Sequence, residues 1–147
     1  MLDSFSAPYD PTPLTAGDLE LIEAARETML RFYRPFYHTV AAALRSRDGR
    51  IWTGIHLGAT VGRLAVCAEA VALGRAILEG DGSIAAVVAV RHPKPDESDR
   101  HIAIVSPCGA CREMLADYDT TAQVIVPGPA GPMALSASAL LPLPYRR

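Results

Sequence analysis

Lysine and cysteine are scarce in this chain of 147 residues, and each scarcity excludes a class of protein. Lys94 is the only lysine, no run of basic residues is present, and the net charge is −2. A protein that binds a nucleic-acid backbone needs basic residues to neutralise the phosphates, so we expect no nucleic-acid partner. The three cysteines are an odd number, so a framework of disulfides would leave one thiol over.

Long apolar runs are also missing, and we expect no leader sequence. No apolar stretch approaches the roughly 18 residues that a membrane-spanning helix requires, so we expect no membrane partner. The first residues, MLDSFSAPYDPTP, contain acidic residues and prolines instead of a basic start and an apolar run, so we expect no secretory signal. A cytoplasmic location follows as an expectation. In a reducing compartment, three thiols are explained by reactivity, metal binding or burial.

The composition is that of a soluble globular protein. Half of the residues are apolar and 20% are charged. The length suits one domain, residues 1–147, that is large enough to bury a core without a structural metal. Residues 1–14 are rich in proline and are predicted to form an extended N-terminal arm.

The first half of the chain predicts a helix followed by a hairpin. Apolar residues at helical spacing predict a helix over 18–33, with Thr15 and Asp18 as a capping box and Pro35 beyond its end. Strands are predicted over 38–45 and 50–56, and the Ser-Arg-Asp-Gly sequence between them is typical of a tight turn.

The second half alternates between helices and strands, and the segment after the last strand is predicted to be an irregular tail. The predicted elements are a helix over 66–79 stopped by Gly80, strands over 83–90, 101–105 and 122–126, and a helix that starts at Pro107. A hairpin followed by this alternation predicts a three-layer α/β/α fold with a mixed, five-stranded sheet.

The three cysteines and one glutamate form the pattern with the most chemical content. Cys108 and Cys111 lie on one face of the first turn of a predicted helix, where free N–H groups stabilise thiolates. Cys67 lies at the start of the other predicted helix. Three thiolates that converge would leave a tetrahedral zinc ion one open position, as in catalytic sites. Glu69 is placed to bond a water there and to move protons.

A C-x-x-C motif alone is a modest signal. It is compatible with a redox pair, half of a structural zinc site, chance, or simple burial of small side chains. The full pattern is more specific, because C-A-E at 67–69 is followed by P-C-x-x-C at 107–111. This is the signature of zinc deaminases, in the form with cysteine in place of histidine.

At these residues the chain resembles the cytidine deaminase family, in particular its small branch with three cysteine ligands, and it is also similar to blasticidin-S deaminases. The segments that carry the resemblance are DGRIWTG, VCAEAVALG, SPCGACRE and SALLPLPY, within 19–145. The resemblance implies that Cys67, Cys108 and Cys111 hold one Zn²⁺ per subunit and that Glu69 is the proton shuttle. It also implies a homotetramer, or a homodimer, that acts on a small nucleoside-like molecule.

The chain departs from the family pattern upstream of the first cysteine. Family members carry T-G-x-N-x-E-N, whose Asn and Glu grip the ribose; here TGIHLGA places His56 at the Asn and Gly58 at the Glu. We expect His56 to contact the substrate, while Gly58 offers no side chain. This difference favours a base with another or a bulkier N1 substituent, of which blasticidin S is one cytosine-bearing example.

Other substrate contacts are expected by the same resemblance. Ala68 lies inside the C-A-E motif, and His38 lies where family members often carry an aromatic residue that stacks on the base. Tyr145 matches the C-terminal aromatic residue that closes a neighbouring subunit's site. Ordinary surface placement of His38 and fraying of Tyr145 are the alternatives.

The charge of three thiolates needs an offset, because excess negative charge weakens zinc as an acid. Many three-cysteine relatives carry an arginine after the catalytic glutamate, but this chain has Ala70. Arg112, beside Cys111, and Arg63, before Cys67, are the candidates, and a solvated surface position is the alternative for each.

These residues together predict hydrolytic deamination of a free cytosine nucleoside or a cytosine-like compound. Glu69 would move the protons, while zinc activates a water. Blasticidin S or another amino-heterocycle is an alternative substrate. A non-catalytic zinc module for assembly is the alternative from another class, but the open ligand position and Glu69 argue against it.

Overall fold

The computed structural model describes residues 10–147, and within them the chain forms three α-helices and six strands. The elements are α1 Ala16–Phe32, β1 Val40–Arg45, β2 Ile51–Ile55, α2 Ala68–Glu79, β3 Ala86–Arg91, β4 Ala103–Val105, α3 Gly109–Tyr118, β5 Gln123–Val126 and β6 Met133–Ser136. Short 3₁₀ turns occupy Gly62–Leu64 and Ala137–Leu140. Residues 1–9 of the predicted N-terminal arm lie outside the described residues, while Thr12 pairs with Ala134 of β6.

The sheet is mixed, as predicted, in the order β2-β1-β3-β5-β6. β1 is antiparallel to both β2 and β3, β3 is parallel to β5, and β5 is antiparallel to β6. The first half of β3, 86–88, pairs with β5, and its second half, 89–91, pairs with β4. One edge of β3 is occupied by β1. Strands β4 and β5 therefore share the opposite edge of β3.

The prediction of five strands was wrong by one, because β6 lies in a segment that was predicted as an irregular tail. Its Pro and Gly residues form a tight reversal: the Gly128 and Gly131 backbones exchange hydrogen bonds of 3.0 and 3.3 Å, and Gly131 has a φ of 119°. That conformation suits glycine. The chain therefore turns back along β5, and Ala134 and Leu135 are buried.

Helices cover both faces of the sheet, so the α/β/α layering is confirmed. Along β1, Ala41 and Ala43 pack in the core beneath α1, while Ala42 and Leu44 pack in the core beneath α2 and α3. Successive side chains of a strand point to opposite faces, so a strand covered on both sides reads as a continuous apolar run. The same alternation runs along β3.

The starts of the helices decide where the functional side chains lie. In α1 the predicted capping box is present: Thr15 accepts from the Asp18 N–H at 3.1 Å, and Asp18 accepts from the Thr15 N–H at 2.9 Å. α2 begins at Ala68, two residues later than predicted, because Val66 instead pairs with Leu57 through backbone hydrogen bonds of 2.9 and 3.0 Å.

The same adjustment applies to α3, which begins at Gly109 with Cys108 as its N-cap, so Pro107 precedes the helix instead of starting it. Within residues 10–147, none of the helices has the length and apolar character that crossing a membrane would take.

Candidate metal centre and active site

A small cavity opens at the end of the sheet where α2 and α3 begin. Its volume is about 130 Å³. The residues that line it come from the start of β1, the ends of β2 and β4, and the two helix starts: Val40, His56, Cys67, Ala68, Glu69, Val105, Ser106 and Cys108. Segments distant in sequence thus meet at one place, as the cysteine pattern predicted.

The three cysteines are free thiols whose sulfur atoms lie within 4.8 Å of one another. The Sγ atoms of Cys67 and Cys108 are 3.5 Å apart. A tetrahedral zinc ion with Zn–S bonds of about 2.3 Å holds its sulfurs roughly 3.8 Å apart, so these thiols fit one zinc ion. Cys67 and Cys108 are the N-caps of α2 and α3, where unpaired N–H groups favour negative charge.

The thiols differ in how readily they lose a proton. Burial raises the pKa of Cys111, and the negative charges of Glu69 and the other thiols raise it further. Burial also raises the pKa of Cys67. Burial alone would raise the pKa of Cys108 as well. Hydrogen bonds from the backbone N–H of Cys111 and from the Cys67 thiol outweigh this effect, so the pKa of Cys108 is lowered. The start of α3 thus favours the thiolate form of Cys108.

Glu69 is a buried carboxylate at the second residue of α2, and only 5% of it is exposed. Burial raises its pKa, while hydrogen bonds from its own backbone N–H and from the Cys111 thiol act in the opposite direction. Two other buried polar residues, Asp18 and Ser46, have hydrogen-bonding partners that account for their burial. Among the described residues, no basic side chain forms an ion pair with Glu69, which marks it as a functional candidate.

The two predicted histidines are neighbours, but only His56 lines the cavity. His38 donates from Nδ1 to the His56 carbonyl oxygen at 2.9 Å. The Nδ1 atom of His56 lies 3.2 Å from the Thr39 hydroxyl. Burial lowers the pKa of His56, and the nearby His38 lowers it further. His56 is therefore a neutral hydrogen-bonding group at the cavity, and His38 supports its backbone.

The remaining predicted site residues are spread more widely. Ala68 is fully buried in the cavity wall. Tyr145 is 84% exposed and does not line the cavity of its own chain. Arg112 donates from Nε to the Pro107 carbonyl at 2.9 Å and from an Nη atom to the Leu140 carbonyl at 3.2 Å. Arg63 is exposed, and the described residues give its side chain no hydrogen bond or ion pair.

Three cavity residues were missed by the sequence analysis: Val40, Val105 and Ser106. Ser106 directly precedes the P-C-x-x-C motif, between the end of β4 and the start of α3. A residue in a strand-to-helix connection faces the same sheet end as the helix start, so that position was the available signal. Val40 accepts a hydrogen bond from the His56 N–H across the β1–β2 hairpin, so the register of that predicted hairpin was the signal for it.

Comparison with known proteins agrees with this geometry. The model of the cytidine and deoxycytidylate deaminase zinc-binding region matches residues 16–127. The chain belongs to this deaminase family. It is 42% identical over 134 residues to a blasticidin-S deaminase of Bacillus cereus, which covers 91% of this chain and 96% of the relative. It is 30% identical over 122 residues to a probable cytidine deaminase of Dictyostelium discoideum, covering 82% of this chain and 78% of the relative.

The fold of this deaminase is also that of solved family members. A crystal structure of a cytidine deaminase from Burkholderia pseudomallei matches with a TM-score of 0.70 and 29% identity, over 90% of this chain and all of that chain. The predicted family, fold class and zinc cofactor are therefore confirmed, and the chain is a member of a family of zinc-dependent hydrolytic enzymes.

Proposed function

We propose that this deaminase replaces the exocyclic amine of the cytosine ring in a small free molecule with a carbonyl and releases ammonia. The observation that carries the proposal is the buried Glu69 carboxylate beside three thiols that converge within 4.8 Å at one cavity. A closed structural zinc site would normally supply a fourth ligand, and the described residues place no fourth metal-binding side chain in this cluster.

Cys67, Cys108 and Cys111 would hold the zinc ion, which when bound supplies the Lewis acidity that lowers the pKa of a water toward neutrality. Glu69 accepts a proton from the attacking water and delivers it to the ring nitrogen beside the reacting carbon. The water oxygen forms a bond to that carbon. Glu69 then takes the second proton from the hydroxyl group now on that carbon and passes it to the amine. The carbon–nitrogen bond breaks as the carbonyl forms, and ammonia leaves. Its raised pKa suits a group that both accepts and donates protons.

A cytosine compound with an unusual N1 substituent, such as blasticidin S, is the second candidate substrate. Gly58 favours it, because the packing leaves no room for the ribose-binding carboxylate of the family pattern. A side chain at position 58 would press its Cβ against the Phe36 carbonyl oxygen and place it 2.9 Å from the Tyr37 Cα atom. The 42% identity to a blasticidin-S deaminase points the same way.

Arg112 is our choice for the cation that offsets the thiolate charge. Its guanidinium group is held by the carbonyl of Pro107, the residue before Cys108. This contact fixes a positive charge near the start of α3, where the thiolates lie. Arg63 and the substrate contacts of His38, Ala68 and Tyr145 stay predictions.

We also propose that the enzyme is cytoplasmic and assembles as a homotetramer, or as a homodimer. Three free thiols at one site persist best in a reducing compartment. The segment beside the cavity exposes Leu57, Val61, Leu64 and Val66, and α2 exposes Leu78 at 86%. Apolar surface of this kind fits contact with a second copy. Sedimentation of the zinc-loaded protein would give its mass.

The test of the function is an ultraviolet assay of zinc-loaded protein against cytidine, deoxycytidine, cytosine and blasticidin S, with ammonia measured in parallel. Turnover of the nucleosides would support the first substrate class, and turnover of blasticidin S alone would support the second. Release of ammonia from none of the four compounds would contradict the proposed function.

A further inference from the structure

The His56 backbone is held rigidly on both sides at the cavity. Its N–H donates to the Val40 carbonyl at 2.8 Å, and its carbonyl oxygen accepts from His38 Nδ1. The next two residues are fixed as well: Leu57 pairs with Val66, and the Gly58 N–H donates to the Tyr37 carbonyl at 2.7 Å. The position of the His56 ring is therefore set by the fold, and only its rotation and its tautomer remain to be fixed.

Thr39 is placed to orient the ring and to form a hydrogen bond with its Nδ1 atom. Its hydroxyl lies 3.2 Å from Nδ1 of His56. Thr39 is itself anchored, because its carbonyl oxygen accepts from the His92 N–H at 2.9 Å and the His92 ring stacks on Tyr33 at a centroid distance of 3.5 Å. A hydroxyl can donate or accept, and a neutral imidazole has one N–H donor and one acceptor nitrogen. A Thr39 hydroxyl that donates to Nδ1 therefore leaves the ring proton on Nε2.

The other ring nitrogen of His56 has no protein partner among residues 10–147, although the ring borders the cavity. We propose that Thr39 is a positioning residue, whose hydroxyl donates to His56 Nδ1 so that His56 Nε2–H can donate to an oxygen of the substituent on the base. This inference rests on the proposed function, because it assigns the group that replaces the missing ribose-binding side chains. It makes Thr39 a determinant of substrate affinity that never touches the substrate.

The first test is Thr39→Val, which removes the hydroxyl and keeps the shape of the side chain. If His56 binds substrate equally in the ground and transition states, KM should rise about three- to tenfold while kcat stays within about twofold. Thr39→Ser should restore the KM of the unmodified protein. The matched control is Thr28→Val, which removes a half-buried hydroxyl that donates within α1 to Ala24 at 2.8 Å, and it should leave KM unchanged.

The second test does not depend on turnover. In ¹⁵N-histidine NMR spectra of the zinc-loaded protein, His56 should show the neutral tautomer with the proton on Nε2. Thr39→Val should shift both nitrogen signals toward a mixture of tautomers, and Thr39→Ser should not. Unchanged His56 signals in Thr39→Val, or changed signals with an unchanged KM, would overturn the proposal.

The two tests separate this inference from the proposed function. If no compound in the assay is deaminated, the proposed function fails, while the NMR comparison still decides whether Thr39 sets the tautomer. If the nucleosides or blasticidin S are deaminated and Thr39→Val has the KM of the unmodified protein, the function stands and the role of Thr39 is contradicted.

Discussion

At the scale of single residues, zinc binding is expected to require all three thiols of the cluster. Cys108 is the N-cap of α3, and its Sγ atom lies 3.5 Å from that of Cys67. Cys108→Ala leaves two thiols, so the protein should lose nearly all of its zinc when it is dialysed against a weak chelator. The metal content of the purified protein, measured by atomic absorption, is the readout.

Glu69→Gln is the matched control for this change, because it alters the same cavity without removing a thiol. It should retain about one zinc ion per chain under the same dialysis. A Cys108→Ala protein that kept its full zinc content would remove Cys108 from the proposed ligand set.

Gly58 is a second residue at which a single substitution should have a large effect, because the packing around it leaves no room for a side chain. Gly58→Ala should lower the free energy of unfolding by about 1–3 kcal/mol, since the new Cβ meets backbone atoms of Phe36 and Tyr37 that cannot move aside independently. Urea denaturation measures this change. Gly62→Ala is the control in the same connection, because a Cβ there meets nothing within 4 Å. Equal stability of the two variants would contradict the close approach at Gly58.

The individual site residues show what the sequence could and could not predict. The convergence of three cysteines and Glu69 was predictable, because their spacing placed them at two helix starts. The place of Ser106 in the cavity had one signal, the strand-to-helix connection that it occupies. The contact between Thr39 and His56 follows from the predicted hairpin only once its register is known. Thr39 reaches His56 only because β1 and β2 pair as a hairpin.

At the scale of elements, Asp119 ties the end of α3 to the hairpin. Its carboxylate accepts from the Thr121 N–H and hydroxyl and pairs with Arg47, which lies between β1 and β2. The Thr121 hydroxyl hydrogen bond, followed by Arg47, lowers the pKa of Asp119 to about 2. A carboxyl group with a lowered folded-state pKa stabilises the fold above its unfolded-state pKa, and this contribution disappears as the pH falls through 2.

Asp119→Asn should therefore reduce the free energy of unfolding near neutral pH by no more than about 1 kcal/mol, because the Arg47 side chain is 55% exposed. The difference from the unmodified protein should shrink between about pH 4 and pH 2, as followed by urea denaturation. Asp81→Asn is the control, since Asp81 makes the same local contacts to Ser83 without an arginine. A difference that grows on acidification would contradict the assignment.

The elements also show where pattern reading failed. Helices α1, α2 and α3 and five of the strands were predicted, because their apolar periodicity and turn residues agree with the fold. β6 was missed, because the segment before it contains Pro and Gly that are equally typical of an irregular tail. Only the pairing of β6 with β5 distinguishes a strand from an irregular tail here, and that pairing is formed by the folded sheet.

At the scale of the whole molecule, the fold brings α2 and α3 to begin at the same end of one sheet. β3 runs toward this end, and the short antiparallel β4, opposite residues 89–91 of β3, keeps the chain beside it until α3 begins. Neither helix alone holds three thiols, so the proposed zinc ion requires the assembled α/β/α sandwich. When the protein is unfolded, activity should therefore be lost together with the fold.

The most direct test of the central claim compares the zinc-loaded protein with Glu69→Gln in the ammonia-release assay, with zinc measured on the same samples. We predict about one zinc ion per chain in both proteins, and a kcat for Glu69→Gln that is about a hundred- to ten-thousandfold lower. Full turnover by the metal-loaded Glu69→Gln protein would contradict the claim that the buried carboxylate beside the three thiols moves the protons.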